Sequence, residues 1–375
     1  MASIRKRGKK WEFTVSYKNQ NGQLKRKTKS GFDKKTDALE AAIELEKKLS
    51  EGLNFFDGIT LGDYYQNWLN TYKIGKHARV TEVRYNTIKK QLVAYFGNNK
   101  QLKTITRSEW QQFLNFFGKN HAKETVSKLN SYVRAMARSA VADRVINFDF
   151  TEGAILTGGN GKSDALKFLQ INDFRKLKKY VFENATINKI FNYIIATGIM
   201  TGARFSEILA LTWKDINFSK QTIQINKSWD YNYTNNFKET KTETSNRTIQ
   251  IDEDLAKLLH KLKREQLAYL KTIKKPISIN EMVFIDKDLK LITDGAINKD
   301  LKNIEKRLNI SPIITFHGLR HTHVSYLLSQ GVDVNYISHR LGHSNVAITM
   351  RVYTHLLKDY EKQEGDKAIK ALKML

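Results

Sequence analysis

The first part of the chain alternates apolar and polar residues. Over residues 11–17 the sequence WEFTVSY places an aromatic or aliphatic residue at every second position, which is the period of a half-buried β-strand. Asn21-Gly22 is typical of a tight hairpin turn, and from Lys35 onward apolar residues recur at helical spacing. We therefore predict a three-stranded antiparallel sheet followed by one helix, over residues 1–58.

The second part of the chain has a helical pattern. Windows such as LGDYYQNWLNTY and SEWQQFLNFFG carry apolar residues three and four positions apart. Thr60 with Asp63, and Thr106 with Glu109, have the spacing of an N-terminal capping box. Glycines at positions 153, 158, 159 and 161 then indicate a linker. The pattern predicts a compact helical bundle over residues 59–155.

The third part, residues 165–375, combines helical windows with one strand-like stretch. Residues 221–251 alternate between apolar and polar positions and predict a small β-sheet. The predicted fold class is therefore multidomain and mainly α with small β-sheets. Its parts are a sheet-and-helix module, a helical bundle and a mixed α/β domain.

Composition narrows the kinds of partner and chemistry. The 375 residues include 64 lysines and arginines against 38 acidic residues, a formal charge of +26, which favours a polyanionic partner. The absence of cysteine excludes disulfides, thiolate metal sites and thiol nucleophiles. Neither a membrane span nor a signal peptide is evident in the pattern. We expect a cytoplasmic protein without a membrane partner.

Two basic surfaces are candidates for contact with nucleic acid. The first thirty residues hold ten basic residues and one acidic residue, and a basic sheet suits the reading of a duplex groove. The window from Lys123 to Arg144 places basic residues on the helical face opposite an apolar one. A structural extension and solvated charges, respectively, are the alternatives. The candidate DNA-binding residues are Arg5, Arg7, Lys9, Lys10, Lys25, Arg26, Lys27, Lys128, Arg134 and Arg138.

Candidate chemistry begins in TGARFSEILAL, where Thr201-Gly202 separates two helices and Arg204 is predicted in the first turn of the second. A guanidinium beside the amides of a helix start favours a phosphate. Arg204 and Glu207 share a helical face, so a surface ion pair is the alternative interpretation. Context has to decide between the two.

A second motif lies in TFHGLRHTHVSYLLSQG, a helix predicted to be capped by Thr315 and ended by Gly331. His317 and Arg320 are three residues apart and would offer an imidazole and a guanidinium to one phosphate. We interpret His321 and His323 as structural. A metal site at these histidines is disfavoured, because no carboxylate stands at a usual ligand spacing.

The last motif is HRLGHSNVAITMRVYTH, in which Leu341-Gly342-His343 predicts a turn and Asn345 can cap a helix leading to Tyr353. Taken alone, His343 and Tyr353 would be a turn residue and a packed aromatic. Lys241, near a predicted turn, is a candidate for a mobile cation, and Lys238 is its rival.

Taken in order, these motifs resemble those of the tyrosine recombinases of the phage-integrase type. The resemblance comprises G-x-R-x-x-E from Gly202, K-T-x-x-S-x-R from Lys241, H-x-L-R from His317, L-G-H, and a tyrosine ten residues after that histidine. It covers about residues 165–357, while earlier residues resemble integrases with arm-type and core-type DNA-binding domains only in order and basic character.

The resemblance implies a role for each of the matching residues. Tyr353 would be the nucleophile that forms a 3′-phosphotyrosyl link, and Lys241 would protonate the leaving 5′-oxygen. Arg204, Arg320 and His343 would hold the phosphate. His317 would move the proton of the nucleophile, and Glu207 would orient the site. No metal or other cofactor is implied.

The partners implied by the resemblance are double-stranded DNA with core-type and arm-type sites, a homotetramer on that DNA, and possible excisionase and host DNA-bending proteins. The C-terminal tail would pack on its own domain or on a neighbouring protomer. The element would be a prophage or an integrative conjugative transposon, and the protein would act at the nucleoid. The rival functions are a type IB topoisomerase and a catalytically silent DNA-binding regulator.

Overall fold

The computed structural model describes residues 2–18, 24–50, 58–161, 168–240, 243–274, 282–347, 349–350 and 372–373. Contacts between Cα atoms divide the chain into two compact units, Met1–Gly161 and Lys162–Leu375. The predicted fold class, mainly helical with small antiparallel sheets, is confirmed. No helix in the described ranges is both long and apolar enough to cross a membrane.

The first unit begins with the predicted sheet and helix. Its elements are β1 (Ser3–Arg7), β2 (Lys10–Lys18), β3 (Leu24–Phe32) and α1 (Lys35–Ser50). The antiparallel order is β1-β2-β3, and the predicted Asn21-Gly22 turn lies outside the described residues. Phe13 and Val15, from the apolar phase of β2, pack with Ala42 of α1 in a small core. The residues that alternate with these point to the other face of β2, where they can make polar contacts.

The helical bundle of the first unit has a separate core. Its helices are α2 (Leu61–Tyr72), α3 (Arg79–Phe96), α4 (Arg107–Gly118) and α5 (Lys123–Ala142). Both predicted N-terminal caps form, since the Thr60 and Thr106 side chains accept from the backbone N–H groups of Asp63 and Glu109. In the centre, buried Trp110 donates its indole N–H to Asn130 Oδ1 at 2.9 Å. This bond satisfies two polar groups that burial would otherwise penalise.

The second unit mixes helices with two small sheets. Its helices are α6 (Ile171–Glu183), α7 (Ile190–Thr201), α8 (Phe205–Leu209), α9 (Glu253–Thr272), α10 (Asp294–Arg307), α11 (Phe316–Ser329) and α12 (Val334–Leu341). Its strands are β4 (Ile216–Asn217), β5 (Thr222–Ile225), β6 (Lys227–Asp230), β7 (Asn236–Glu239) and β8 (Arg247–Gln250). The strands form the antiparallel sheets β4-β5-β8 and β6-β7, which confirms the predicted β-structure.

The core of the second unit surrounds α7. Nearly every residue of α7 is buried, and the helix contacts α6, α9, α10 and α11. Gly198 permits a close approach to α11, because a Cβ there would lie 2.6 Å from the ring of Phe316 at the start of α11. The C-terminal end of α7 is thereby held beside α11, and this junction positions the candidate active site.

Candidate active site

Residues from distant parts of the second unit line one pocket of about 550 Å³. Its lining includes Arg204, Glu207, His317, Arg320 and His343. Four of these five side chains are the candidate phosphate ligands and proton carrier predicted from separate motifs. The fold therefore brings these separated motifs to one place.

Arg204 occupies the N-cap position of α8 and not its first turn, which corrects the predicted location. The cause lies two residues earlier, where Gly202 ends α7 in the left-handed conformation with φ 64°. There the chain reverses, and Arg204 remains extended before the helix begins. Glu207 Oε2 accepts from the Arg204 backbone N–H at 2.9 Å, and Glu207 Oε1 accepts from its guanidinium at 2.7 Å. The predicted Arg204–Glu207 pair is thus present inside the pocket.

Glu207 links Arg204 to a second arginine that the motif contained but to which sequence reasoning gave no role. Arg247 Nη2 donates to Glu207 Oε2 at 2.8 Å, and its side chain is fully buried. Burial by itself raises the pKa of the Glu207 carboxyl, but the charges and hydrogen bonds of Arg247 and Arg204 outweigh it and lower the pKa to about 2. Arg247 and Ile249 lie on the same, inward-facing side of β8. This alternation was the feature of the sequence from which the burial of Arg247 could have been predicted.

Arg320 is held by main-chain oxygens. Its two terminal nitrogens donate to Gly202 O and Leu341 O, each at 2.8 Å. These carbonyls belong to the turns that precede Arg204 and His343. A guanidinium can serve both turns and still face the pocket, because its donors point in fixed and different directions.

His317 lies on the first turn of α11, on the same side as Arg320. Desolvation, followed by the positive charges of Arg320 and Arg204, lowers its pKa below the usual 6.5. A neutral imidazole at pH 7 can accept a proton. Thr315 takes the N-cap position as predicted, but without a side-chain capping bond; Asn298 Oδ1 accepts from the Phe316 N–H instead, at 2.8 Å.

His343 follows α12, which ends at Gly342 in the left-handed conformation, as the predicted turn requires. Its Nδ1 is hydrogen-bonded to Thr349 Oγ1 at 2.7 Å. Burial, and then the charges of the nearby arginines, lower the His343 pKa to about 4, so the ring is neutral at pH 7. Asn345 Oδ1 accepts from the Ala347 N–H at 2.8 Å, which agrees with the predicted cap. Sequence reasoning did not identify Thr349 as a partner of His343.

Two of the six candidate catalytic residues, Lys241 and Tyr353, lie outside the described residues. Lys238, the rival of Lys241, lines the pocket, and its Nζ is 3.9 Å from Asp230 Oδ1. The roles of these three residues remain predictions. No group of three or more potential metal-binding side chains occurs in the described part of the chain.

Some of the candidate DNA-binding residues in and beside the sheet form ion pairs with acidic side chains. Arg5 and Arg7 both pair with the buried Glu12, Arg7 at 3.6 Å, and Lys10 pairs with Asp33. The side chains of Lys9, Arg26 and Lys27 are exposed. The side chain of Lys25 is not among those described.

The three candidates on α5 differ in their surroundings. Lys128 is exposed, and Arg138 is exposed 3.7 Å from Asp149. Arg134 instead bonds within the bundle, donating from Nε to Thr151 Oγ1 at 3.1 Å and from Nη2 to Thr151 O at 2.8 Å. The solvent-facing position predicted for Arg134 is therefore corrected. A contact between Arg134 and DNA stays a prediction.

Two arginines, two neutral histidines and a carboxylate that is paired with arginines surround one pocket, and such a set of side chains suits an anion such as a phosphate. The chain belongs to the phage integrase family, whose model matches residues 167–359, and it is a tyrosine recombinase. The Arm DNA-binding domain model matches residues 3–49, and the model of the N-terminal SAM-like domain of phage integrases matches residues 60–118.

Two curated relatives illustrate the range of similarity. The ICEBs1 integrase of Bacillus subtilis is 33% identical over 204 residues, which span 54% of each protein. A tyrosine recombinase XerC-like protein of Caldanaerobacter subterraneus is 26% identical over 373 residues, covering 91% of this chain and 90% of the relative. The chain thus matches about half the length of the first relative and nearly all of the second.

Two solved structures share the fold. The Tn1549 transposon integrase bound to transposon right end DNA gives a TM-score of 0.69 at 17% identity, covering 82% of this chain and 99% of that one. A lambda integrase dimer bound to a core site gives 0.62 at 14% identity, with 93% of each chain covered. These likenesses confirm the fold.

Proposed function

We propose that this protein cuts and rejoins DNA strands at specific sites through a 3′-phosphotyrosyl intermediate on Tyr353, integrating and excising a mobile genetic element. The observation that carries the proposal is the convergence of Arg204, His317, Arg320 and His343 on one pocket. Of the two acidic residues that line the pocket, Glu207 is bonded to two arginines and Asp230 lies 3.9 Å from Lys238 Nζ. The pocket therefore retains an electrostatic preference for an anion.

The chemistry needs this concentration of positive charge. A phenol with a pKa near 10 costs about 4 kcal/mol to ionise at pH 7, and charge builds on the phosphorus as it becomes five-coordinate. Arginines fixed before the reaction stabilise both charges without reorganising. The residues supply what a metal ion would supply in other phosphoryl-transfer enzymes.

Each residue then has a distinct step. Tyr353 Oη forms a bond to phosphorus while the bond to the 5′-oxygen breaks, and Lys241 protonates that oxygen as it leaves. His317 accepts the phenol proton, consistent with its lowered pKa. Arg204 and Arg320 hold the non-bridging oxygens, and neutral His343 donates a further hydrogen bond. Attack by the 5′-hydroxyl of another strand reverses the step without ATP.

The rest of the chain would choose and hold the DNA. We assign arm-type binding to residues 1–58, core-type binding to residues 59–155 and catalysis to residues 165–375. A lambda integrase tetramer has been solved on a Holliday junction, and we propose a homotetramer on paired sites here as well. An excisionase and a host DNA-bending protein would set the direction of exchange at the nucleoid. The C-terminal tail, outside the described residues apart from residues 372–373, is proposed to dock in cis or in trans.

The test uses duplexes that span the junctions between the mobile element and its host chromosome, each nicked near the exchange point so that cleavage cannot reverse. We expect a covalent 3′ adduct on a denaturing gel, formed in EDTA and mapped by peptide sequencing to Tyr353. Tyr353→Phe should bind the same duplex and form no adduct. Normal cleavage by Tyr353→Phe would refute the assignment of the nucleophile.

Two other functions give different results in the same experiment. A type IB topoisomerase would relax supercoiled plasmid without joining two partner sites. A catalytically silent regulator would bind the junction duplexes tightly and leave no adduct on any of them. The proposal requires the adduct together with recombinant products from paired sites.

A further inference from the structure

Arg340, the penultimate residue of α12, is half-buried and uses all three of its side-chain nitrogens. Nε donates to His323 Nε2 at 3.2 Å, Nη1 to Gln250 O at 2.9 Å and Nη2 to Met200 O at 2.9 Å. The three acceptors belong to α11, β8 and α7. One guanidinium thus ties α12 to three other elements.

Of those elements, α11 carries the pocket residues His317 and Arg320, while α7 ends three residues before Arg204 and β8 begins two residues after Ser245, which both line the pocket. Met200 lies two residues before Gly202 and four residues before Arg204. The carbonyl of Gly202 accepts from Arg320. His323 stands one helical turn after Arg320 on α11. Three residues after Arg340 comes His343. The contacts of Arg340 therefore join the segments that bear both phosphate-binding arginines and His343.

A second path starts at the main chain of Arg340. Its carbonyl accepts from Arg247 Nε at 2.7 Å, Arg247 donates to Glu207 at 2.8 Å, and Glu207 accepts from Arg204 at 2.7 Å. A continuous chain of charge-assisted bonds thus leads from the turn before His343 to the Arg204 guanidinium. Such bonds are short and directional.

We propose that Arg340 is a positioning residue that fixes the Arg204 and Arg320 guanidiniums relative to His343, so that all three meet one phosphate. This inference rests on the proposed strand-cleavage function. Arg340 itself does not touch the reacting atoms. Its effect reaches them through Arg247, Glu207 and the turns around Gly202 and Leu341.

The side chain of His323 is oriented so that it accepts a hydrogen bond from Arg340. Its Nδ1 is 2.8 Å from Ile199 O, and because a carbonyl only accepts, Nδ1 carries the proton and Nε2 presents a lone pair to Arg340. Burial lowers the His323 pKa to about 3, so the ring stays neutral. Gly202 makes room for this ring, since a Cβ there would lie 2.7 Å from His323 Cδ2. A lysine at position 340 would keep the charge but could not reach all three acceptors.

The alternative is that Arg340 only stabilises the fold. The two roles separate when the phosphate loses its charge. Replacing one non-bridging oxygen at the exchange point by methyl gives a neutral methylphosphonate, which depends far less on correctly placed arginines. A positioning defect should shrink on that substrate, whereas a general folding defect should slow both substrates equally.

The experiment compares Arg340→Lys and Arg340→Gln with the wild type on nicked duplexes containing either group. We expect duplex Kd values within about threefold of wild type, adduct formation slowed at least about thirtyfold on phosphate, and slowing of less than about fivefold on methylphosphonate. The control is Arg307→Lys, which removes a single surface hydrogen bond to the Tyr180 hydroxyl and should leave every rate unchanged. His323→Ala, which loses one of the three acceptors, should show a smaller defect with the same substrate dependence.

The remaining outcomes overturn the inference. Equal slowing on both substrates, accompanied by a lower Tm, would assign Arg340 to the fold alone. Unchanged cleavage of phosphate would show that positioning does not need it. If Arg340→Gln does not fold, Arg340→Lys and His323→Ala decide between these results. Failure of the wild type to form any adduct would instead refute the proposed function, and the inference with it.

Discussion

Replacing Glu207 by glutamine removes the charge that holds two arginines while preserving the side chain's shape. Glu207 is 3% exposed, and the side chain of Arg247 is fully buried against it. The variant would leave that guanidinium without a counter-charge, a situation that costs about 3–5 kcal/mol in buried pairs. We therefore expect Glu207→Gln to be a stability variant as well as an active-site variant.

The pKa of Glu207 gives an independent magnitude. A fall from the ordinary value of 4.5 to about 2, converted at about 1.36 kcal/mol per pKa unit, corresponds to about 3 kcal/mol at pH 7. A depressed carboxyl pKa contributes stability that is fully present above pH 4.5 and is lost as the pH falls towards 2. The difference between wild type and variant should thus shrink to about 2 kcal/mol near pH 3.5.

Urea unfolding of the full chain at pH 7 and pH 3.5 measures this difference, and hydrogen exchange of peptides from α7 and α8 assigns it to the second unit. Glu183→Gln is the matched control, because its side chain is 60% exposed and lies 3.9 Å from Lys179; it should change stability by less than about 1 kcal/mol. Equal stability of wild type and Glu207→Gln at pH 7 would refute the electrostatic argument.

Three further changes test other parts of the fold. Gly202→Ala should lower the free energy of unfolding in urea by at least about 2 kcal/mol, because φ is +64° and the new Cβ would contact His323. The control Gly331→Ala, at φ +76° with open space around it, should lose only the part of this free energy that comes from backbone strain. Burial raises the Glu305 pKa to about 7, so the stability of the wild type falls as the pH rises from 4.5 to 7. Relative to the wild type, Glu305→Gln should therefore become more stable by about 3 kcal/mol over that pH range. A stability difference between the two proteins that does not change with pH would contradict this. Trp110→Phe leaves buried Asn130 without its 2.9 Å partner and should lower the unfolding free energy of the first unit by about 1–3 kcal/mol; an unchanged Tm would show that the bond contributes nothing.

Much of the fold could be predicted because it depends on local pattern. Alternation over residues 11–17 gave β2 and its buried face, and the Thr60 and Thr106 spacings gave two helix starts. Arg204 was misplaced by one structural position, because the left-handed turn at Gly202 delays the start of α8. Helical spacing predicts faces but not where a reversed chain resumes its helix.

The site could be predicted less completely, since partners far apart in sequence leave no local signal. The motifs named Arg204, His317, Arg320 and His343, which meet in one pocket. They did not indicate that Arg340 would bond to Met200 O and Gln250 O. Likewise, a basic stripe on α5 suggested a solvent-facing Arg134, yet Thr151, seventeen residues later, takes its guanidinium.

The pocket draws on segments that leave the ribosome at very different times. Domains tend to fold as they are synthesised, so the basic sheet and the bundle can be complete while the stretch that bears His343 is still inside the ribosome. On the proposed function, a message truncated before that stretch would yield a protein that occupies attachment sites and cannot cut them. Such fragments would act as competitors of the full-length enzyme, and intact translation would thereby become a condition of recombination.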